Sequence, residues 1–176
     1  MEFVILGLLM LGNLSQYDIL KILEKKVSPF YKASLGSIQS ALKKLMKLNQ
    51  ITLHQDEETK RKKNVYVINK EGKENFKIWM MKPINESKID AEISTKLFFL
   101  GLLKAKDQKT IIDMTVSFLE RLIDQYEESK KEYSTIHYEK KYQGIVDYQF
   151  KTLDLGIYHH KMTLKWFQNL QKELKE

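Results

Sequence analysis

The apolar residues change period once between residues 35 and 68, and that change restricts the chain to few folds. Leu35, Ile38, Leu42, Leu45 and Leu48 recur at intervals of three and four, which predicts an amphipathic helix with Ser34 as its N-cap. Ile51 to Gln55 then alternates as a strand, Asp56 to Lys63 is charged and turn-like, and Asn64 to Ile68 returns as a second strand rich in Val and Tyr. Upstream, the uniformly apolar run Phe3 to Leu11 predicts a short helix buried on most sides. Ser15, with Asp18 three residues on, predicts a capped second helix running to about Val27 before Pro29. Downstream, Phe76, Trp79 and Met80 mark a fourth helix, from Lys70 or Glu71 to before Pro83. Three helices, a hairpin and a helix make a winged helix-turn-helix arrangement.

The third helix has a second face made of Ser37, Gln39, Ser40, Lys43, Lys44 and Lys47. Short polar side chains at the front let a backbone approach base edges, and lysines behind meet phosphates. An ordinary amphipathic helix looks similar, so the hairpin carries weight. Its tip holds Lys60, Arg61, Lys62 and Lys63 in a row, and four adjacent cations repel one another unless an anion lies against them.

Charge agrees. Residues 1–82 hold 15 Lys or Arg against 8 Asp or Glu, a balance of +7, whereas residues 83–176 hold 15 of each. The whole excess sits in the half with the helix triplet and hairpin, the distribution expected of a polyanion-binding surface.

Residues 84–88, with Asn, Glu and Ser, form the candidate linker, which divides the chain into a DNA-binding domain over 1–84 and a helical dimerisation domain over 85–176. The fold class is mainly α with a small β-hairpin wing. Helices are expected from about Ala91 to Lys104, Gln108 to Ser134 and Glu139 to Leu174. In the last, Tyr142, Val146, Leu153, Ile157, Leu164, Phe167 and Leu174 keep a three-four rhythm over some nine turns, about 50 Å of helix. A stripe of that length needs cover, and a bundle shared with a second copy supplies it; an intramolecular three-helix bundle is the competing arrangement.

The local sequences resemble the PadR family of bacterial transcriptional regulators along the whole chain. The resemblance rests on Ile5-Leu6-Gly7-Leu8-Leu9 with Tyr17-Asp18-Ile19, on Leu35-Gly36-Ser37-Ile38 leading to Ala41-Leu42-Lys43-Lys44-Leu45, and on Tyr66-Val67-Ile68 before Gly72. It implies that Ser34, Ser37, Gln39 and Ser40 contact or approach base edges, that Lys43 and Lys44 meet phosphates, and that the hairpin is the wing. Ala91-Glu92-Ile93 to Leu97-Phe98-Phe99-Leu100-Gly101 stands where the longer members begin their dimerisation region, which adds Leu97 and Phe98 to the dimer residues. It further implies a homodimeric repressor of a near-palindromic operator in double-stranded DNA, with a small aromatic molecule as effector. The chain departs from the family at Gln39, where Tyr is usual, at Ser40, where Pro is usual, and at Lys60-Arg61, where Gly-Arg is common. Gln pairs bidentately with adenine, and few arginines leave little of the commonest guanine contact, so an A·T-rich operator is expected.

Other functions find less material. Adjacent His159 and His160 point about 100° apart on a helix and do not share a face, so Asp147 and Asp154 nearby give neither a metal site nor a catalytic centre. Neither a phosphate loop nor a nucleophile elbow is present, and no cofactor is expected. Trp79, Phe98, Phe99, Tyr17 and Phe30 are candidates for an effector pocket, although aromatics at helical spacing more often serve as core. No apolar run approaches the roughly 18 residues of a membrane span, and the absence of cysteine suits a reducing compartment, so a cytoplasmic location is expected. The remaining alternative is a winged-helix protein-interaction module that does not bind DNA.

Overall fold

The computed structural model describes residues 1–25, 34–56 and 63–174. They divide into two compact units, Met1–Gln108 and Lys109–Glu176.

In the first unit, α1 (Glu2–Leu11) is the central element because it is apolar all round: Val4, Ile5, Leu6, Leu8 and Leu9 are all buried. Helix α2 (Gln16–Lys25) starts as expected, with the Ser15 hydroxyl accepting the Asp18 N–H at 3.2 Å and the Asp18 carboxylate accepting the Ser15 N–H at 3.0 Å. It buries Ile19 and Leu23. Helix α3 (Leu35–Lys47) lays Ile38, Ala41, Leu42 and Leu45 on the core. The ends of its expected stripe do not follow, because Leu35 and Leu48 are about half exposed.

The turn out of α3 uses Asn49 at φ 52, a left-handed conformation that Asn tolerates better than most residues. Gln50 N–H then reaches back to the Leu45 carbonyl at 2.9 Å, and the chain enters β1 (Ile51–Asp56). β1 pairs antiparallel with β2 (Lys63–Ile68) in the register Ile51↔Ile68 to Asp56↔Lys63. A third stretch joins the sheet: Leu14 and Tyr66 exchange backbone hydrogen bonds, 2.8 and 3.3 Å long. Helix α4 (Lys70–Met80) is capped by Asn69, whose side chain accepts the Gly72 N–H at 2.9 Å, and it buries Phe76, Trp79 and Met80.

Helix α5 (Ile89–Phe98) is shorter than expected; a 3-10 turn over Leu100–Leu102 replaces its last turn. Phe99 and Lys96 help to fasten it to the rest of the unit. Phe99 lies against Gly7, where a Cβ would come within 2.6 Å of the ring, and it meets Phe76 edge-on at 5.7 Å. Lys96 is buried with its ammonium on the Lys82 carbonyl and 5.4 Å from the Trp79 ring centre, and burial pushes its pKa down.

Two long helices dominate the second unit, α6 (Ala105–Ser134, 30 residues) and α7 (Gln143–Glu173, 31 residues), joined through a 3-10 turn at Lys140–Tyr142. Cross-links between Asp113 and Gln171, Glu120 and Gln168, Glu127 and Lys161, and Lys130 and Asp154 show that the pair runs antiparallel. Ile112, Val116, Leu119 and Ile123 of α6 and Val146, Ile157 and Phe167 of α7 are buried. The compact units divide after residue 108, beyond the linker expected at residues 84–88.

Candidate nucleic-acid interface

The surface of α3 follows from its cap. Ser34 is extended at φ −96 and ψ 155, and its hydroxyl accepts the Ser37 N–H at 3.1 Å. Ser37 returns the favour, accepting the Ser34 N–H at 3.1 Å and donating to the Ser34 carbonyl at 2.8 Å. Such a reciprocal cap satisfies donors that a helix start otherwise leaves open, and is typically worth about 1 kcal/mol. The two serines expected at base edges thus also shape the helix start. Past the cap, Gly36, Gln39, Ser40, Lys43 and Lys47 are exposed on the side away from Ile38, Leu42 and Leu45. A Cβ on Gly36 would meet nothing within 4 Å, so the backbone is open there.

Two of the expected phosphate ligands already hold carboxylates. The Lys44 ammonium donates to Glu2 Oε1 at 2.6 Å, tying α3 to the start of α1. That hydrogen bond is the main reason the Glu2 carboxyl is lowered to about 2. A carboxyl lowered in the folded state contributes stability that is complete above its ordinary value of 4.5 and is lost as pH falls toward 2. The expected outcome is a Glu2→Gln variant that is less stable to urea at pH 6, by under about 1 kcal/mol for so exposed a pair, with the difference shrinking as pH falls toward 2.

The second is Lys63, the wing's innermost cation, which donates to Asp18 Oδ2 at 2.7 Å. Burial pushes the Asp18 carboxyl up, but hydrogen bonds from Lys63 and Ser15 outweigh it and the net shift is downward. Asp18 therefore joins the base of the wing to the start of α2. Lys60, Arg61 and Lys62 lie outside the described residues. Beside this junction Tyr17 is exposed, with the Lys21 ammonium 4.5 Å from its ring centre. The sequence points to Tyr17 only as pocket material, since one exposed aromatic leaves no periodic trace.

The candidate pocket aromatics among the described residues divide between core and surface. Trp79 and Phe99 are core, stacked on Phe3 at 4.7 Å and edge-on to Phe98 at 4.9 Å respectively. Phe98 and Tyr17 are exposed, and Phe30 lies outside the described residues. Among the carboxylates near His159 and His160, Asp154 pairs with Lys130, and Asp147 accepts from Gln143 at 2.9 Å.

The expected dimer residues separate into groups. Val146, Ile157 and Phe167 are buried within the chain, Leu97, Leu153 and Leu164 are half-buried, and Phe98 and Tyr142 are exposed. A different set faces out from α7: Ile145, Tyr148, Leu155, Met162 and Trp166, with Leu155 68% and Trp166 51% exposed. At about 100° per residue Tyr148, Leu155, Met162 and Trp166 point away from the mean direction of Val146, Ile157 and Phe167, while Ile145, next to Val146, lies at the edge of that outer face. Together with Thr152 and His159 these outer residues keep alternating steps of three and four, the spacing of a coiled-coil seam. Leu155, Met162 and Trp166 help to line a groove of ≈ 770 Å³.

Residues 5–78 match the model of the transcriptional regulator PadR-like family. The negative transcriptional regulator PadR of Bacillus subtilis (strain 168) is 28% identical over 163 residues, 90% of this chain and 84% of that protein. Among solved structures, Bacillus subtilis PadR in complex with operator DNA aligns over 98% of both chains at 22% identity with a TM-score of 0.44. The same protein in complex with p-coumaric acid aligns over 99% of this chain and 95% of that one, at 22% identity and a TM-score of 0.43. The matched residues 5–78 take in most of α1, all of α2 and α3, both strands and most of α4.

Proposed function

We propose that the chain binds double-stranded DNA as a homodimer, places α3 in the major groove, and represses transcription from a near-palindromic, A·T-rich operator. The observation that carries this is the outer face of α3: a capped, rigid start, an open backbone at Gly36, then Gln39, Ser40, Lys43 and Lys47, none of which the core uses. An amide positioned for adenine with lysines one and two turns behind it suits base readout followed by phosphate anchoring. The pairs Lys44–Glu2 and Lys63–Asp18 are compatible with this. Both are surface pairs of small net worth, and each lysine is able to exchange its carboxylate for a phosphate at little cost. Repression is also the role carried by the name of the Bacillus subtilis relative.

The second copy is proposed to dock on the outer stripe of α7, with two-fold symmetry setting two α3 helices on successive major-groove faces. A small aromatic effector completes the proposal. Within one chain, the cavity of ≈ 370 Å³ lined by Tyr133, Tyr138, Val146, Gln149, Phe150 and Leu153 has the size and the mostly apolar walls for such a molecule.

Selection of bound duplexes from random-sequence DNA, followed by titration at several salt concentrations, tests the proposal. The selected motif is expected to have two-fold symmetry. Gln39→Ala is expected to lose about ten-fold or more in affinity for that motif and to relax its preference for adenine, within the roughly 1–3 kcal/mol of a bidentate pair. Lys43→Ala is expected to weaken binding to all sequences alike and to reduce the salt slope by about one per recognition helix. Equal binding to every duplex, abolished by modest salt, overturns sequence-specific regulation and leaves a surface that is merely basic.

A further inference from the structure

The first turn of α3 is the part of a groove-entering helix that meets base edges. In this chain its serines serve the cap. The Ser37 hydroxyl both accepts from and donates to Ser34, the Ser34 hydroxyl accepts from Ser37, and Gly36 has no side chain. The same turn leaves Leu35 53% exposed, at the end of the apolar stripe on which Ile38, Leu42 and Leu45 are buried. Leu35 lies four residues before Gln39, so the two side chains share one flank of the helix.

The edges of the major groove are donors and acceptors with one exception, the C5 methyl group of thymine, and apolar side chains are its complement. Building on the regulator reading above, we propose that Leu35 is a specificity residue that packs on a thymine methyl beside the adenine taken by Gln39. One flank of α3 then reads A·T pairs in two ways, by an amide on adenine N6 and N7 and by a hydrocarbon contact on thymine. The A·T preference thus has a direct source in side chains and needs no contribution from DNA shape.

The test uses the selected operator in two forms, one with thymine and one with deoxyuridine throughout, which removes only the C5 methyl groups and keeps every groove donor and acceptor. The unaltered protein and Leu35→Ala are titrated against both, after circular dichroism and melting establish that the variant is folded. Burial of one methyl predicts that the unaltered protein loses about four-fold in affinity per half-site on uracil DNA. Leu35→Ala is expected to bind both forms alike, at the affinity the unaltered protein has for the uracil form. Replacing thymines singly is expected to place the effect at one position in each half-site. A specific operator bound equally well in both forms overturns the proposal and leaves the regulator reading standing. So does a Leu35→Ala variant that keeps the full uracil penalty, or one weakened equally on both forms from a smaller thymine affinity while the penalty persists. A protein with no preferred duplex overturns the regulator reading and this proposal with it.

Discussion

Replacing Gly72 with alanine lowers the unfolding temperature of the first unit by roughly 10–20 °C, a shift that corresponds to about 3 kcal/mol in a domain of this size. A Cβ at residue 72 would lie 2.2 Å from the Gln50 carbonyl oxygen and 2.8 Å from Ile68 Cγ1. The oxygen is the harder obstacle because it is backbone, and it also accepts the Asn69 N–H at 3.2 Å, just where Asn69 caps α4. Moving it disturbs the entry to β1, the end of β2 and the cap of α4 together. At Gly7 the clash is with the Phe99 ring, a side chain with some freedom to tilt, so Gly7→Ala is expected to cost less. Gly36 serves as the internal control: with nothing within 4 Å of its Cβ position, Gly36→Ala keeps or slightly raises stability, since alanine is the better helix former. Thermal melts of the three variants check this order. A Gly72→Ala protein melting within a degree or two of the unaltered one would mean that the α4 start relaxes more freely than its three anchors allow.

The first unit was legible wherever one period of apolar residues served one core. Ile38, Leu42 and Leu45 face inward because a helix has to bury one side, and the register of β1 with β2 follows from two short alternating runs joined by a charged turn. What escaped were effects without a period. Leu35 and Leu48 fit the α3 stripe by spacing but lie at its two ends, where each stays about half exposed. The pairing of Leu14 with Tyr66, the left-handed turn at Asn49 and the Asn69 cap arise from single backbone positions. Ser34 was legible as the cap of α3, whereas the reciprocal bonds that Ser37 returns to it depend on the geometry of a single helix start. Likewise Lys44 and Lys63 are cations on the expected surface, yet their carboxylate partners, Glu2 and Asp18, lie 42 and 45 residues away in sequence.

In the second unit the ambiguity was of another kind, because α7 carries two apolar stripes on opposite sides and periodicity does not say which one its own chain uses. Val146, Ile157 and Phe167 are spent within the chain, while Ile145, Tyr148, Leu155, Met162 and Trp166 remain outside. On the proposed dimer this division separates stability from assembly, and it yields the second large expected effect. Ile157→Ala opens a cavity in a buried seam and is expected to cost about 2–5 kcal/mol of stability, with folded molecules still dimeric. Leu155→Glu, at a residue 68% exposed in the single chain, is expected to leave the helices folded and to split the dimer by putting two carboxylates across one seam. Because two half-sites bound through one dimer gain the effective concentration of linkage, loss of the dimer is expected to weaken operator binding by a hundred-fold or more. Sedimentation, urea unfolding and operator titration on both variants distinguish the two roles. A Leu155→Glu protein that remains dimeric with full operator affinity moves the interface off this face of α7, and a Leu155→Glu protein that unfolds places the stripe in the core.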